Sequence, residues 1–99
     1  MLDIVKNQNG DELTVALKGR LDTTTAPQLE SELQAALEET QSLVINLEEM
    51  QYISSAGLRV LLSAQKKMAR KGGMVIRNAT DEVKEIFDVT GFSDILTIE

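Results

Sequence analysis

The chain reads as a single α/β domain: a mixed, mainly parallel sheet of about four to five strands with helices mainly on one face, in the order ββαβαβαβ. Three observations carry that expectation. An Asn9-Gly10 pair separates two strand-like runs, a strong hairpin signal. The run Leu43 to Leu47, LVINL, is apolar nearly throughout and rich in β-branched residues, as expected of a central strand covered on both faces. Segments of helical period then alternate with short strand-like runs, the pattern of right-handed strand–helix–strand crossovers.

Each element follows in order. Leu2 to Lys6 forms the first strand, and the second follows the NQNGD turn, where Leu13, Val15 and Leu17 alternate with Thr14, Ala16 and Lys18. After Gly19, the stretch RLDTTTAPQLE supplies several N-cap candidates and puts Pro27 in a first helical turn. Leu29, Leu33, Ala36 and Leu37 recur at helical spacing, with Glu30, Glu32 and Glu38 outside. LVINL leads through a short acidic turn into a second helix, from Ser54 or Ser55 to Lys71. Its inner face is expected to be Leu58, Leu61, Leu62, Gln65, Met68 and Ala69. Gly72-Gly73 stops it, and Met74 to Arg77 is the next strand. Thr80 or Asp81 caps a third helix with Val83, Ile86 and Phe87 facing in and Gly91 closing it. Asp94 to Ile98 is expected as a last short strand.

At 99 residues the chain suits one domain, burying roughly 65% of its unfolded surface in a single core. No run approaches the length of a membrane span and no secretory pattern opens the chain, so a cytoplasmic location is expected. The net charge is −6, unevenly placed. Residues 1–50 hold ten acids against three bases, whereas 51–99 hold six against seven. Lys66, Lys67, Arg70 and Lys71 fall where the second helix ends and complement its negative pole; the alternative is a basic docking patch. Direct nucleic-acid binding is disfavoured, since the chain is anionic and its aromatics, 3% of residues, offer no stacking platform.

With no histidine and no cysteine, a Ser-His-Asp triad, a zinc-water site and a Cys-His pair are all excluded. Gly-rich phosphate loops are missing too, because Gly72-Gly73 is a helix stop. The abundant carboxylates read as solvated surface. These residues point away from an enzyme and toward the serine pair Ser54-Ser55 at the mouth of the second helix. In the plain structural reading one serine is an N-cap, contributing about 1 kcal/mol. The functional reading adds a phosphate there. A helix N-terminus accommodates its charge, so modification would leave the domain folded and block a partner docked on the mouth.

Two motifs at these residues resemble those of STAS domains, specifically the bacterial anti-sigma factor antagonists. GRLDTTTAPQLE, Gly19 to Glu30, is similar to the family's strand–turn–helix with its G-x-[LI]-D and downstream Ala. YISSAGLRVLL, Tyr52 to Leu62, is similar to its Y-[IM]-[DS]-S-[STA]-G-L. The order and spacing of elements match over essentially the whole chain, so residues 1–99 are expected to form one such domain. Ser55 then corresponds to the regulatory phosphoserine, Gly57-Leu58 to the turn of helix after it, and Asp22 to the loop acid beside it. The chain departs from the pattern at Ser54, where many members have Asp, and at Arg59, where many have a second Gly. The family's usual closing helix is absent from a chain ending at Glu99, so a shortened C-terminus is expected.

The resemblance implies partner switching without catalysis. Unphosphorylated, the protein would bind an anti-sigma factor that is also a serine kinase; phosphorylation of Ser55, or alternatively of Ser54, would release it, and a serine phosphatase would reset it. Asp22, Thr23, Thr24, Ser54, Ser55, Ala56, Gly57, Leu58 and Arg59 would form the docking surface. No cofactor is implied, since ATP and Mg²⁺ belong to the kinase, and neither a membrane nor nucleic acid is a partner. A monomer or weak dimer is expected. The alternatives are a STAS scaffold or sensor module in a signalling or transport assembly without a phospho-switch, and a small-molecule binder using the Asp22/Ser55 surface. Arg59, four residues after Ser55 and so on the same helix face, would meet a phosphate or partner carboxylate, or else lie solvated over apolar surface.

Overall fold

The computed structural model describes residues 2–99. Strands β1 (Leu2–Asn9) and β2 (Glu12–Leu21) form a hairpin; α1 (Ala26–Leu37), β3 (Ser42–Ile53), α2 (Ser55–Met68), β4 (Met74–Arg77) and α3 (Asp81–Thr90) follow, and a 3-10 turn at Phe92–Asp94 precedes the tail. The four strands lie in sequence order, β1 antiparallel to β2 and the others parallel. Because β2, β3 and β4 are laid down in one direction, crossovers of a single hand place α1 and α2 on the same face.

The hairpin pairs Asn9 with Glu12, so its central residues are Gly10 and Asp11 rather than Asn9 and Gly10. Gly10 has φ +64 and is the only one of the two in the left-handed half of the map, the glycine-first pattern of a type II′ turn. One core joins the helices to one face of the sheet. Leu13, Val15 and Leu17 from β2, Leu43, Ile45 and Leu47 from β3, and Met74 and Ile76 from β4 all meet the buried residues of the three helices. The expectation that LVINL is covered on both faces needs correcting. Val44 is buried but lies outside this core, on the opposite face, shielded by its register partners Thr14 and Val75, and Asn46 beside it is only half-buried.

The acidic stretch after LVINL is strand, not turn. Ala16 pairs with Asn46 and Lys18 with Glu49, then Gly19 with Met50 and Arg20 with Tyr52, so β3 twice takes an extra residue relative to β2. Such bulges bend a strand and interrupt its alternation. They put Glu48 and Glu49 outside in succession, and Asn46 Oδ1 accepts a bond from the Glu48 N–H at 3.0 Å.

In α2 the buried stripe is Gly57, Leu58, Val60, Leu61, Ala64 and Met68. Leu62 and Gln65 are half-buried, and Ala69 is exposed as the C-cap, against the inward positions expected. The stripe is turned toward α1, whose Leu33 and Leu37 line a cleft with Val60 and Ala64. Lys66 and Lys67 do lie in the last turn of α2. Lys71 instead serves the neighbouring helix: its ammonium donates to the carbonyls of Leu37, Glu38 and Thr40 at 2.6, 3.1 and 3.1 Å. Charge-assisted bonds to orphan helix carbonyls at a surface contribute about 1–2 kcal/mol.

Thr80 caps α3, accepting from the Val83 N–H, and Gly91 closes it at φ +82. Val83 and Phe87 are buried and Ile86 half-buried. The strand expected over Asp94 to Ile98 shrinks to a single parallel bridge between Ile98 and Ile76. The 3-10 turn and the burial of Leu96 consume the residues that would have paired.

Candidate functional site

The last register pair of β2 and β3 is Leu21 with Ile53. One residue further on, the Ser54 N–H donates to the Leu21 carbonyl at 2.8 Å. That bond brings the Asp22 loop and the mouth of α2 off the sheet side by side, joining two segments about thirty residues apart in sequence.

The helix mouth separates the two serines. Ser54 is the N-cap, in extended backbone at φ −88, ψ 173, and its Oγ accepts from the Gly57 N–H at 3.4 Å while its carbonyl accepts from Leu58 at 2.9 Å. Ser55 is the first helical residue and exposed. Among the described residues nothing engages its hydroxyl in a hydrogen bond. Arg59 is exposed as well, and among the described residues the ion pairs are Lys6–Glu32, Lys18–Glu49 and Arg77–Glu99, so its guanidinium is uncommitted. Ala56 is half-buried; Gly57 and Leu58 are buried and hold the mouth down from within. A Cβ on Gly57 would lie 2.6 Å from Leu21 Cγ and 3.1 Å from Ile53 Cγ2, so the first turn of α2 rests directly on that last strand pair.

The loop is organised by Asp22. Its Oδ1 accepts from the Thr24 hydroxyl at 2.7 Å, the Thr24 N–H at 3.0 Å and the Thr25 N–H at 3.1 Å. The Thr24 hydroxyl is the main reason the carboxyl sits below its ordinary range; partial burial opposes it, and the Thr25 and Thr24 N–H groups reinforce it. Thr23 and Thr24 are exposed at the tip. Thr25, which the sequence did not single out, is the buried member: its hydroxyl donates to the Arg20 carbonyl at 3.0 Å and accepts from the Asp22 N–H at 2.9 Å. It occupies the N-cap position of α1 without a side-chain cap bond, because its hydroxyl is spent on the loop. The signal available was a threonine directly before Ala26-Pro27, where a helix begins.

This geometry fixes a pH dependence. A carboxyl depressed in the folded state adds stability above its unfolded pKa of about 3.9 and loses it as pH falls through the folded value. Asp22→Asn keeps an acceptor oxygen and so preserves the turn. The gap in urea midpoint between parent and Asp22→Asn is expected to be largest near neutral pH and to close from about pH 5 downward. A gap that stays constant with pH would show that the carboxylate charge plays no part in holding the loop.

Among the described residues no helix is long and apolar enough to cross a membrane. Comparison with known proteins matches residues 3–99 to a sequence model of the STAS domain. The anti-sigma-B factor antagonist of Bacillus subtilis (strain 168) is 30% identical over 98 residues, covering 98% of this chain and 90% of the relative. An anti-sigma factor antagonist from Mycobacterium paratuberculosis superposes with a TM-score of 0.89 at 22% identity, over 99% of this chain and 85% of that one. SpoIIAA in its unphosphorylated form gives 0.83 at 16% identity, over 98% and 88%. The Bacillus cell fate determinant SpoIIAA in its phosphorylated form gives 0.75 at 15%, over 98% and 91%. At these identities the structural matches establish the fold.

Proposed function

Since the chain belongs to the STAS domain family, we propose that it is an anti-sigma factor antagonist, switched by phosphorylation of Ser55. The observation that carries this reading is the division of labour at the α2 mouth. Ser54 is committed to the cap, and Ser55 presents a free, exposed hydroxyl one residue later. Unmodified, the Asp22 loop and the α2 mouth together form the docking surface for an anti-sigma factor that is also a serine kinase, with Thr23, Thr24, Ser55 and Arg59 outermost and Asp22 half-buried beside them. Ala56, Gly57 and Leu58 support that surface from beneath. The domain supplies no catalytic group; ATP and Mg²⁺ belong to the kinase, and a serine phosphatase restores the binding form.

A phosphate on Ser55 adds about −1.5 to −2 charges and three acceptor oxygens beside a loop whose Asp22 is already ionised at neutral pH. The first turn of α2 can tolerate that charge, because its N–H groups carry the positive end of the helix dipole. The partner cannot, since its surface must approach the same spot. The test is to incubate the protein with its cognate anti-sigma kinase and ATP and to locate the phosphate by mass spectrometry. A single phosphate on Ser55, lost in Ser55→Ala, is expected. Full phosphorylation of Ser55→Ala would assign the modification to Ser54 or elsewhere. Binding without any phosphorylation would favour a scaffold role.

A further inference from the structure

A second surface lies beside α3, beyond the helix mouth. Tyr52, Ile86 and Val89 line an open apolar groove between the end of β3 and α3. Val89 is 80% exposed and Tyr52 37%, although neither burial nor helix propensity calls for a valine there. Contiguous exposed apolar groups are a feature of interaction sites, whereas scattered single ones need no explanation. The Tyr52 ring is held in place by the Arg20 guanidinium, 4.7 Å from its centroid.

The rim is acidic. Glu82 and Glu85 flank the apolar strip, and through Glu82 and Gln51 the groove continues into a second depression bordered by Asp3, Glu48 and the Lys18–Glu49 ion pair, which leaves the acids in excess. Among the described residues Glu48, Glu82 and Glu85 take part in none of the ion pairs. Glu82, Glu85, Ile86 and Val89 follow one another at i, i+3, i+4 and i+7, a single stripe along α3. A stripe with that spacing receives another helix laid alongside it, apolar residues inward.

We infer that this strip is a docking site for a basic amphipathic helix of a partner protein. Its apolar residues seat on Tyr52, Ile86 and Val89, and its lysines or arginines meet Glu48, Glu82 and Glu85. The net charge of −6 adds long-range attraction for the same cationic partner. The inference does not rest on the phospho-switch and would stand if Ser55 were never modified.

The test is a titration of the isotope-labelled full chain, followed by amide NMR, with two synthetic helical peptides. One carries leucine on one face and lysine on the other; its twin has glutamate in place of lysine. The lysine peptide is expected to shift the signals of Tyr52, Glu82, Glu85, Ile86 and Val89 saturably, and the glutamate twin to leave them in place. Val89→Glu should weaken binding by about tenfold or more without moving the thermal midpoint, because the side chain is largely solvated. Glu85→Lys should weaken it too, and Glu39→Lys, exposed before the start of β3, should not. Equal loss with both charge reversals would reduce the effect to general attraction and overturn the site. Equal binding of the glutamate twin would do the same. Self-association of the protein alone that Val89→Glu abolishes would assign the strip to a second copy instead.

Discussion

Gly57→Ala is expected to lower the unfolding free energy by about 1–2 kcal/mol, and Gly57→Val by about 3 kcal/mol or more. Alanine is normally the better helix residue by about 1 kcal/mol, so the expected sign runs against propensity. Packing decides it. The new Cβ would sit 2.6 Å from Leu21 Cγ and 2.9 Å from Leu21 Cδ2, with Ile53 Cγ2 at 3.1 Å. Leu21 is fully buried and Ile53 2% exposed, so neither can swing into solvent. Either the strand end shifts or the first turn of α2 lifts. Both movements disturb the bond from Ser54 to Leu21 that sets the two loops side by side. Thermal unfolding checks the magnitude, since each kcal/mol shifts the midpoint of a domain this size by about 4–8 °C. Leu21→Ala supplies the control: it opens room under the helix, so adding Gly57→Ala on that background should cost less than on the parent. Additive losses, or an unchanged midpoint in Gly57→Ala alone, would mean that the contact relaxes at no cost.

Much of the fold was legible because alternation and capping are local. The period-two run from Leu13 to Leu17 and the Thr80 cap with Gly91 closure lie within a few residues of the structure they specify, whereas α2 ends at Met68 rather than Lys71 and reaches Gly72-Gly73 through a turn. What misled was set by distant partners. Glu48-Glu49 reads as a turn because successive acids break alternation, yet they belong to a bulged strand whose partner, β2, is two residues shorter over the paired stretch. Ala69 fits the helical period of α2, but the stripe is rotated toward α1, which sequence spacing within one helix does not reveal. Lys71 satisfies its own helix on paper and another helix in space. At the site, the serine pair was visible as chemistry and Asp22 only through the family resemblance, while the role of Thr25 and the contact of Gly57 with Leu21 needed the β2–β3 register. A glycine inside a helical pattern was the one hint of close packing there.

The serine pair itself separates stability from binding. Ser54→Ala removes the cap and is expected to cost about 0.5–1 kcal/mol, toward the low end of the cap range because the Oγ bond to Gly57 is long at 3.4 Å. Ser55→Ala should cost nothing measurable, since the side chain is exposed and alanine suits a helix. Ser55→Asp should leave stability unchanged or raise it by about 0.3–1 kcal/mol, because an acid in the first turn favours the helix dipole. Binding to the anti-sigma factor is expected to rank differently. Ser54→Ala and Ser55→Ala should bind like the parent once folded, whereas Ser55→Asp should lose about tenfold or more, a penalty of about 1.4 kcal/mol or more. Titration calorimetry alongside urea unfolding of the same four proteins measures both quantities. If Ser55→Asp lost binding and stability together, the charge would be acting by disordering the helix mouth. If it kept both, the docking surface would lie elsewhere on the domain. The expected combination, stability kept and affinity lost, leaves repulsion at the interface as the cause. It would also mean that Ser54 holds the helix in both states of the switch, so that Ser55 can change its charge without changing the fold.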